Sequence, residues 1–202
     1  MKEQTKLLMN YRYRSEWREK YVTIREIRDW TKNGKYTKRV NAARGLDIIA
    51  VEGGMASGTL VAEVLPKVRP AIGKNNTYTG LVLLSFRLKE GVDVLERLRR
   101  MVNLWEQTLM SFVGTSGKSL KVLIPYCLTG GGLPEEQSQV SLFQQYAYKR
   151  AAEYALNSTG IKPEEVIHDG TESFRISFDP AIYFNPEAKP IEMAQPTEPL
   201  TE

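Results

Sequence analysis

Ser85, Arg87, Lys118, Lys121 and Arg175 are spaced so that they can share one side of a β-sheet. Residues 80–88 form an apolar, β-branched and aromatic run in which Ser85 and Arg87 stand two apart. Period-two alternation therefore points both to one face. Lys118 closes the glycine-bearing turn at residues 114–118, Lys121 follows in the apolar run 120–126, and Arg175 alternates with Phe174 and Ile176. Cations gathered on a sheet face suit phosphate groups, which position a ligand without reading its sequence.

A second basic group lies near the start. Arg12, Arg14, Arg18 and Lys20 interleave with Tyr11, Tyr13, Trp17 and Tyr21. One reading is phosphate contact with base stacking; the other is an amphipathic helix with its aromatics inward and its cations in water. Later, His168 beside Asp169, with Glu172 and Arg175 nearby, could form an acid–base or metal cluster, or a solvent-facing turn before the last strand, and Asp179-Pro180 reads as a turn. No nucleophile motif accompanies the histidine, which excludes a hydrolytic triad. The stretch 114–119, Gly-Thr-Ser-Gly-Lys-Ser, looks like the end of a phosphate-binding loop, but position 112 is Phe and a strand rather than a helix follows. An NTPase loop needs a glycine at that position and a helix after it. The glycines at 53, 54 and 58 read as a plain loop.

Several elements must position these residues. Residues 80–88, 109–113, 120–126 and 174–178 read as strands. Residues 90–107 and 138–156 read as helices, the first with Val94, Leu95, Leu98, Met101, Val102 and Trp105 repeating at three and four residues. The order β-α-β-β-α-β predicts an α+β, ferredoxin-like antiparallel sheet over about residues 80–178, with both helices on one face and the other face open. Residues 1–44 read as helical, with Val22, Ile24, Ile27 and Trp30 on one face and a break at Asn33-Gly34. Prolines 66 and 70 and Gly73 predict irregular backbone before residue 79. The expected organisation is a basic helical module at 1–78, packed on or extending from a core at 79–186, and a disordered tail at 187–202.

Composition narrows the function classes. The 202 residues are 42% hydrophobic and 26% charged, enough to bury a core. The apolar runs are too short to span a bilayer and no apolar stretch of signal-peptide length follows the N-terminus, so a cytoplasmic protein is expected. Cys127 and His168 are the only residues of their types, which excludes an internal disulfide and a Cys/His zinc site. Net charge is +4, yet residues 1–44 hold thirteen Lys/Arg against five Asp/Glu. That asymmetry points to an anionic partner.

Three pieces of the chain together resemble the VirE-associated N-terminal domain, a branch of the archaeo-eukaryotic primase superfamily. The strand 81–84 ends where that family places an Asp-hydrophobic-Asp pair. The stretch 111–125 is similar to its Ser-Gly-x-Gly-Leu-Lys hairpin. The ending Asp169-Gly-Thr-Glu-Ser-Phe-Arg175-Ile-Ser-Phe-Asp179-Pro-Ala-Ile-Tyr-Phe-Asn185-Pro186 resembles its most specific motif. The resemblance implies an RRM-like sheet supporting metal-dependent nucleotide polymerisation in phages, plasmids and integrative elements. This sequence departs from the pattern: Ser85 and Arg87 hold the paired-acid positions and Ser119 replaces a hairpin glycine. Paired acids on one strand face grip two metal ions, whereas an arginine stays protonated and repels them.

The expectation is a catalytically degenerate primase-like protein that binds DNA, as a single strand or primer-template, without a metal or cofactor. Arg87, Lys118, Lys121 and Arg175, with Arg12, Arg14 and Arg18, would contact phosphates, and a separate helicase-like protein is a candidate partner. One alternative is an active primase-polymerase taking Mg²⁺ or Mn²⁺ on Asp169, Glu172 or Asp179. Another is a protein-interaction subunit of a replication or mobilisation complex.

Overall fold

The computed structural model describes residues 4–51, 54–87, 91–165 and 172–199. It is mixed α+β. In chain order the elements are β1 (Lys6–Tyr13), β2 (Glu16–Thr23), α1 (Ile24–Asn33), α2 (Thr37–Ala43), β3 (Ile49–Val51), β4 (Gly54–Ala56), α3 (Thr59–Glu63) and β5 (Lys67–Gly73). Then come β6 (Leu81–Arg87), α4 (Gly91–Asn103), β7 (Met110–Val113), β8 (Ser119–Leu128), α5 (Gln137–Thr159), β9 (Phe174–Arg175), β10 (Tyr183–Phe184) and β11 (Ile191–Met193).

The first sheet is built on β8. It pairs antiparallel with β6 and β7, β10 adds to β7, and β11 lies parallel to the last residues of β8. The β6 register sets Leu83 opposite Leu123, Ser85 opposite Lys121 and Arg87 opposite Ser119. Val82, Leu84, Phe86, Val122 and Ile124 take the other face and pack under Leu98 and Val102 of α4 and Phe143, Ala147 and Ala151 of α5. Both helices therefore cover one face, as expected. A fully buried side chain such as Phe86 or Phe143 contributes about 1.5–3 kcal/mol. Gly80 enters β6 at φ 71, and a Cβ there would lie 2.3 Å from the Tyr126 carbonyl oxygen. Only glycine fits that approach.

The start of the chain is a β-hairpin, not a helix. Leu7, Met9, Tyr11 and Tyr13 fall on one face of β1 and Leu8, Asn10 and Arg12 on the other. The four-residue spacing of Tyr13, Trp17 and Tyr21 looks helical, but the turn at Arg14-Ser15 splits it between two strands. Arg14 takes a positive φ of 53° in that turn. Helix α1 begins at Thr23, whose hydroxyl accepts from the Glu26 amide while the Glu26 carboxylate accepts from the Thr23 amide. It stops at Gly34, at the break read from the sequence.

The stretch expected to be irregular contains β5. Its register against β1 shifts between Leu7 and Leu8, so Pro70 sits in a bulge where no amide donor is required. The glycine-rich loop includes the small β3–β4 hairpin.

The second sheet runs β2-β1-β5-β9. The strand expected at 174–178 is thus only Phe174–Arg175, and it joins β5 rather than the first sheet. Leu7, Met9, Val22, Val68 and Phe174 of this sheet pack on Leu81, Leu83, Met110, Phe112 and Leu123 of the first. Phe112 meets Phe174 edge-on, ring centroids 5.1 Å apart. The face expected to be open is therefore covered over its apolar part, and residues 1–78 share one core with 79–186. The expected tail is structured through Met193, since β11 pairs with β8 and both Ala188 and Met193 are buried. No helix among the described residues is long and apolar enough to cross a membrane.

Candidate functional site

Where the two sheets part, the end of the first sheet carries buried Ser85 and Ser119, half-buried Lys121 and exposed Arg87. Leu83 and Leu123 close the core one step inward; Ser85 and Lys121 are the first polar pair beyond it. The chain leaving α5 runs alongside, with the Glu164 amide donating to the Ser85 carbonyl at 2.6 Å. Tyr148 of α5 fixes this segment by donating to the Glu164 carbonyl at 2.6 Å.

These elements make a short polar chain. The Lys121 ammonium donates to Ser85 Oγ at 2.5 Å, and Ser85 Oγ donates to the Glu164 carboxylate. Arg87 Nε stands 3.4 Å from the same carboxylate, with its side chain 73% exposed. Burial lowers the pKa of Lys121; Glu164 opposes that shift, while Arg87 and Arg175 reinforce it. Arg175 is therefore an electrostatic neighbour of Lys121, and its buried Nε makes no hydrogen bond among the described residues. Arg175 itself stands on β9 of the second sheet, not on the face shared by Ser85, Arg87 and Lys121, so Arg87 and Lys121 are the cations set beside Glu164. The geometry suits capture of an anion: the Ser85 hydroxyl is engaged on both sides and the cations are left in excess.

The sequence placed Ser85, Arg87 and Lys121 on one face, and the structure does the same. It did not foresee Glu164, which follows α5 in a Lys-Pro-Glu-Glu turn with no distinguishing pattern. Lys118 is exposed on the β7–β8 turn. Arg44 holds that turn in place: it donates to the carbonyls of Thr115 at 3.1 Å, Gly114 at 3.3 Å and Phe178 at 3.0 Å. Arg44 is structural, and burial lowers its pKa while Asp179 opposes the shift.

The acidic candidates do not converge here. Asp179 is buried, accepts from Arg99 at 2.8 Å and from the amides of Val113 at 2.7 Å and Ala181 at 3.0 Å. Its lone pairs are committed to the fold rather than to a metal. Glu172 is half-buried, and its charge helps raise the pKa of Tyr78 and Tyr148. His168 and Asp169 lie outside the described residues. Among the described residues no group of three or more His, Cys, Asp or Glu is placed to hold a metal ion.

The basic residues of the hairpin split between its faces. Cross-strand partners share a face, so Arg18 stands with Tyr11 and Tyr13, and Arg12 with Trp17 on the reverse. Arg18 lies 4.8 Å from the Tyr13 ring centroid and pairs with Glu16 at 3.1 Å; Arg14 lies 5.6 Å from the same ring. The helix with inward aromatics does not hold: Tyr11 is half-buried, whereas Trp17 is 51% and Tyr21 40% exposed.

Comparison with known proteins gives a match to a protein family. A family model described as BT4734-like, N-terminal domain, covers residues 65–184. No curated protein and no solved structure is detectably similar.

Proposed function

The chain belongs to the family of BT4734-like N-terminal domains, and we propose, from the side chains of the site, that it is a primase-like nucleic-acid-binding protein without polymerase activity. In this reading it serves the replication of a mobile element, phage or plasmid in the cytoplasm, beside a separate helicase-like protein. One observation supports it above the others: the Lys121 ammonium is tied to Ser85, with Arg87 on the same face, at strand positions where polymerases of the resembled type keep paired acids. A divalent ion entering there meets a guanidinium group that stays charged at every working pH. A phosphate meets complementary donors instead.

The roles follow from exposure. Arg87, the more exposed of the two, makes first contact, and half-buried Lys121 receives the anion behind it. Glu164 holds Lys121 and Arg87 in position and keeps the cluster's charge from being wholly uncompensated. Fluorescence anisotropy with labelled single-stranded and duplex DNA tests the reading. Affinity should fall steeply with salt and should drop further in Arg87→Ala/Lys121→Ala. Absence of binding at low salt would end the nucleic-acid reading and favour a protein-interaction subunit.

A further inference from the structure

The outer face of the second sheet, turned away from the core, carries a pattern that the cleft does not use. The strand registers lay out three rows across it. Trp17 of β2 faces Arg12 of β1; Glu19 faces Asn10, then Lys67 of β5, then Arg175 of β9; Tyr21 faces Leu8 and then Arg69. Trp17 and Tyr21, on one face of one strand, are about 13 Å apart at about 3.3 Å per residue. Glu19, between them, is held by Asn10 at 2.8 Å.

We propose that this face is a track for single-stranded nucleic acid, with bases stacking on Trp17 and Tyr21 and phosphates lying over Arg12, Lys67, Arg69 and Arg175. The proposal rests on the nucleic-acid reading above and names the strand state and the path. Two observations support it independently. First, exposed aromatics on the edge strand flank inner strands bearing cations, which is the arrangement single strands require: rings for bases and charge for the backbone. A duplex keeps its base faces stacked and offers none to a ring. Second, Lys67 and Arg175 stand directly opposite one another. Like charges in that position oppose pairing. An anion laid across the pair offsets that repulsion.

The test uses the whole chain and labelled single strands of about 15 bases, oligothymidylate and oligouridylate, with a DNA duplex as comparison. Trp17→Ala and Tyr21→Ala should each weaken single-strand binding about 5- to 100-fold in whichever of the two arms binds, with duplex binding little changed. Trp17→Phe, which keeps a ring, should retain most of the affinity. Both residues are exposed, so thermal unfolding should be nearly unaltered. If Trp17→Ala and Tyr21→Ala bind as the parent does while Arg87→Ala/Lys121→Ala does not, the track is overturned and the cleft stands; this face then belongs to a protein partner. If the parent binds no strand at all, both readings fall.

Discussion

Arg99 of α4 and Asp179, eighty residues later in sequence, form a buried ion pair at 2.8 Å, with side chains 8% and 5% exposed. The pair joins a helix to the turn after β9, and the amides of Val113 and Ala181 complete the carboxylate's contacts. Removing one partner leaves the other charged and dry, at a cost of about 3–5 kcal/mol. Asp179→Ala should therefore lower the midpoint of chemical unfolding sharply. A ligand role would instead leave stability intact and abolish a metal-dependent signal.

Polymerisation should be absent. With Mg²⁺ or Mn²⁺, neither primer synthesis nor primer extension is expected, because Ser85 and Arg87 provide no paired carboxylate. Metal-dependent incorporation of labelled nucleotides by the unaltered chain would refute this. Ser85→Asp/Arg87→Asp tests whether the strand can regain metal affinity, measured by calorimetry.

Salt dependence reports the cleft. Each phosphate neutralised on a single strand contributes about 0.7 to the slope of log affinity against log salt. Arg87→Ala/Lys121→Ala should lower that slope by about 1.4 and weaken all sequences alike, since phosphate contacts carry no base information. An unchanged slope would place the phosphate contacts elsewhere.

The hairpin separates stability from binding. Leu7 and Met9 are wholly buried in the second sheet, so Leu7→Ala or Met9→Ala should cost about 2–5 kcal/mol. Deleting residues 1–20 removes β1 from between β2 and β5 and should unfold the protein, not merely strip an arm. Trp17→Ala should leave thermal unfolding within about 0.5 kcal/mol of the parent.

Alkaline pH should destabilise the fold. Burial raises the pKa of Tyr78 and Tyr126 above the ordinary 10.0 and pushes Tyr148 up to about 12. Above pH 10 the unfolded chain releases these protons while the folded chain keeps them. Their contribution is intact below pH 10 and is lost as pH rises past it. For a fully buried phenol such as Tyr126 the loss is about 1.4 kcal/mol per pH unit. Tyr126→Phe should flatten the decline in urea midpoints measured between pH 10 and 12.

Strands β6, β7 and β8 of the first sheet and its two helices were legible because their signals are local, whereas β10 and β11 were read as a turn and a tail. Leu81–Leu84 is a continuous apolar run, Ser85, Phe86 and Arg87 alternate after it, and α4 and α5 repeat at three and four residues. The second sheet was not legible, because its strands β1, β5 and β9 come from distant parts of the chain and β5 carries a proline hidden in a bulge. The cleft was half legible: alternation assigned Ser85, Arg87 and Lys121 to one face, but nothing in the sequence says that Glu164 returns to meet them. Arg99 offered a weak signal, a cation at a core-facing position between Leu98 and Val102.

The pairing of β5 with β9 also sets an order on synthesis. About a hundred residues separate Lys67 from Arg175, so at about 5–20 residues per second the β5 edge waits some 5–20 s for its neighbour. An unpaired edge of that kind invites association with other chains. Lys67 and Arg69 stand on it, and their charge shields nascent copies from one another until β9 arrives.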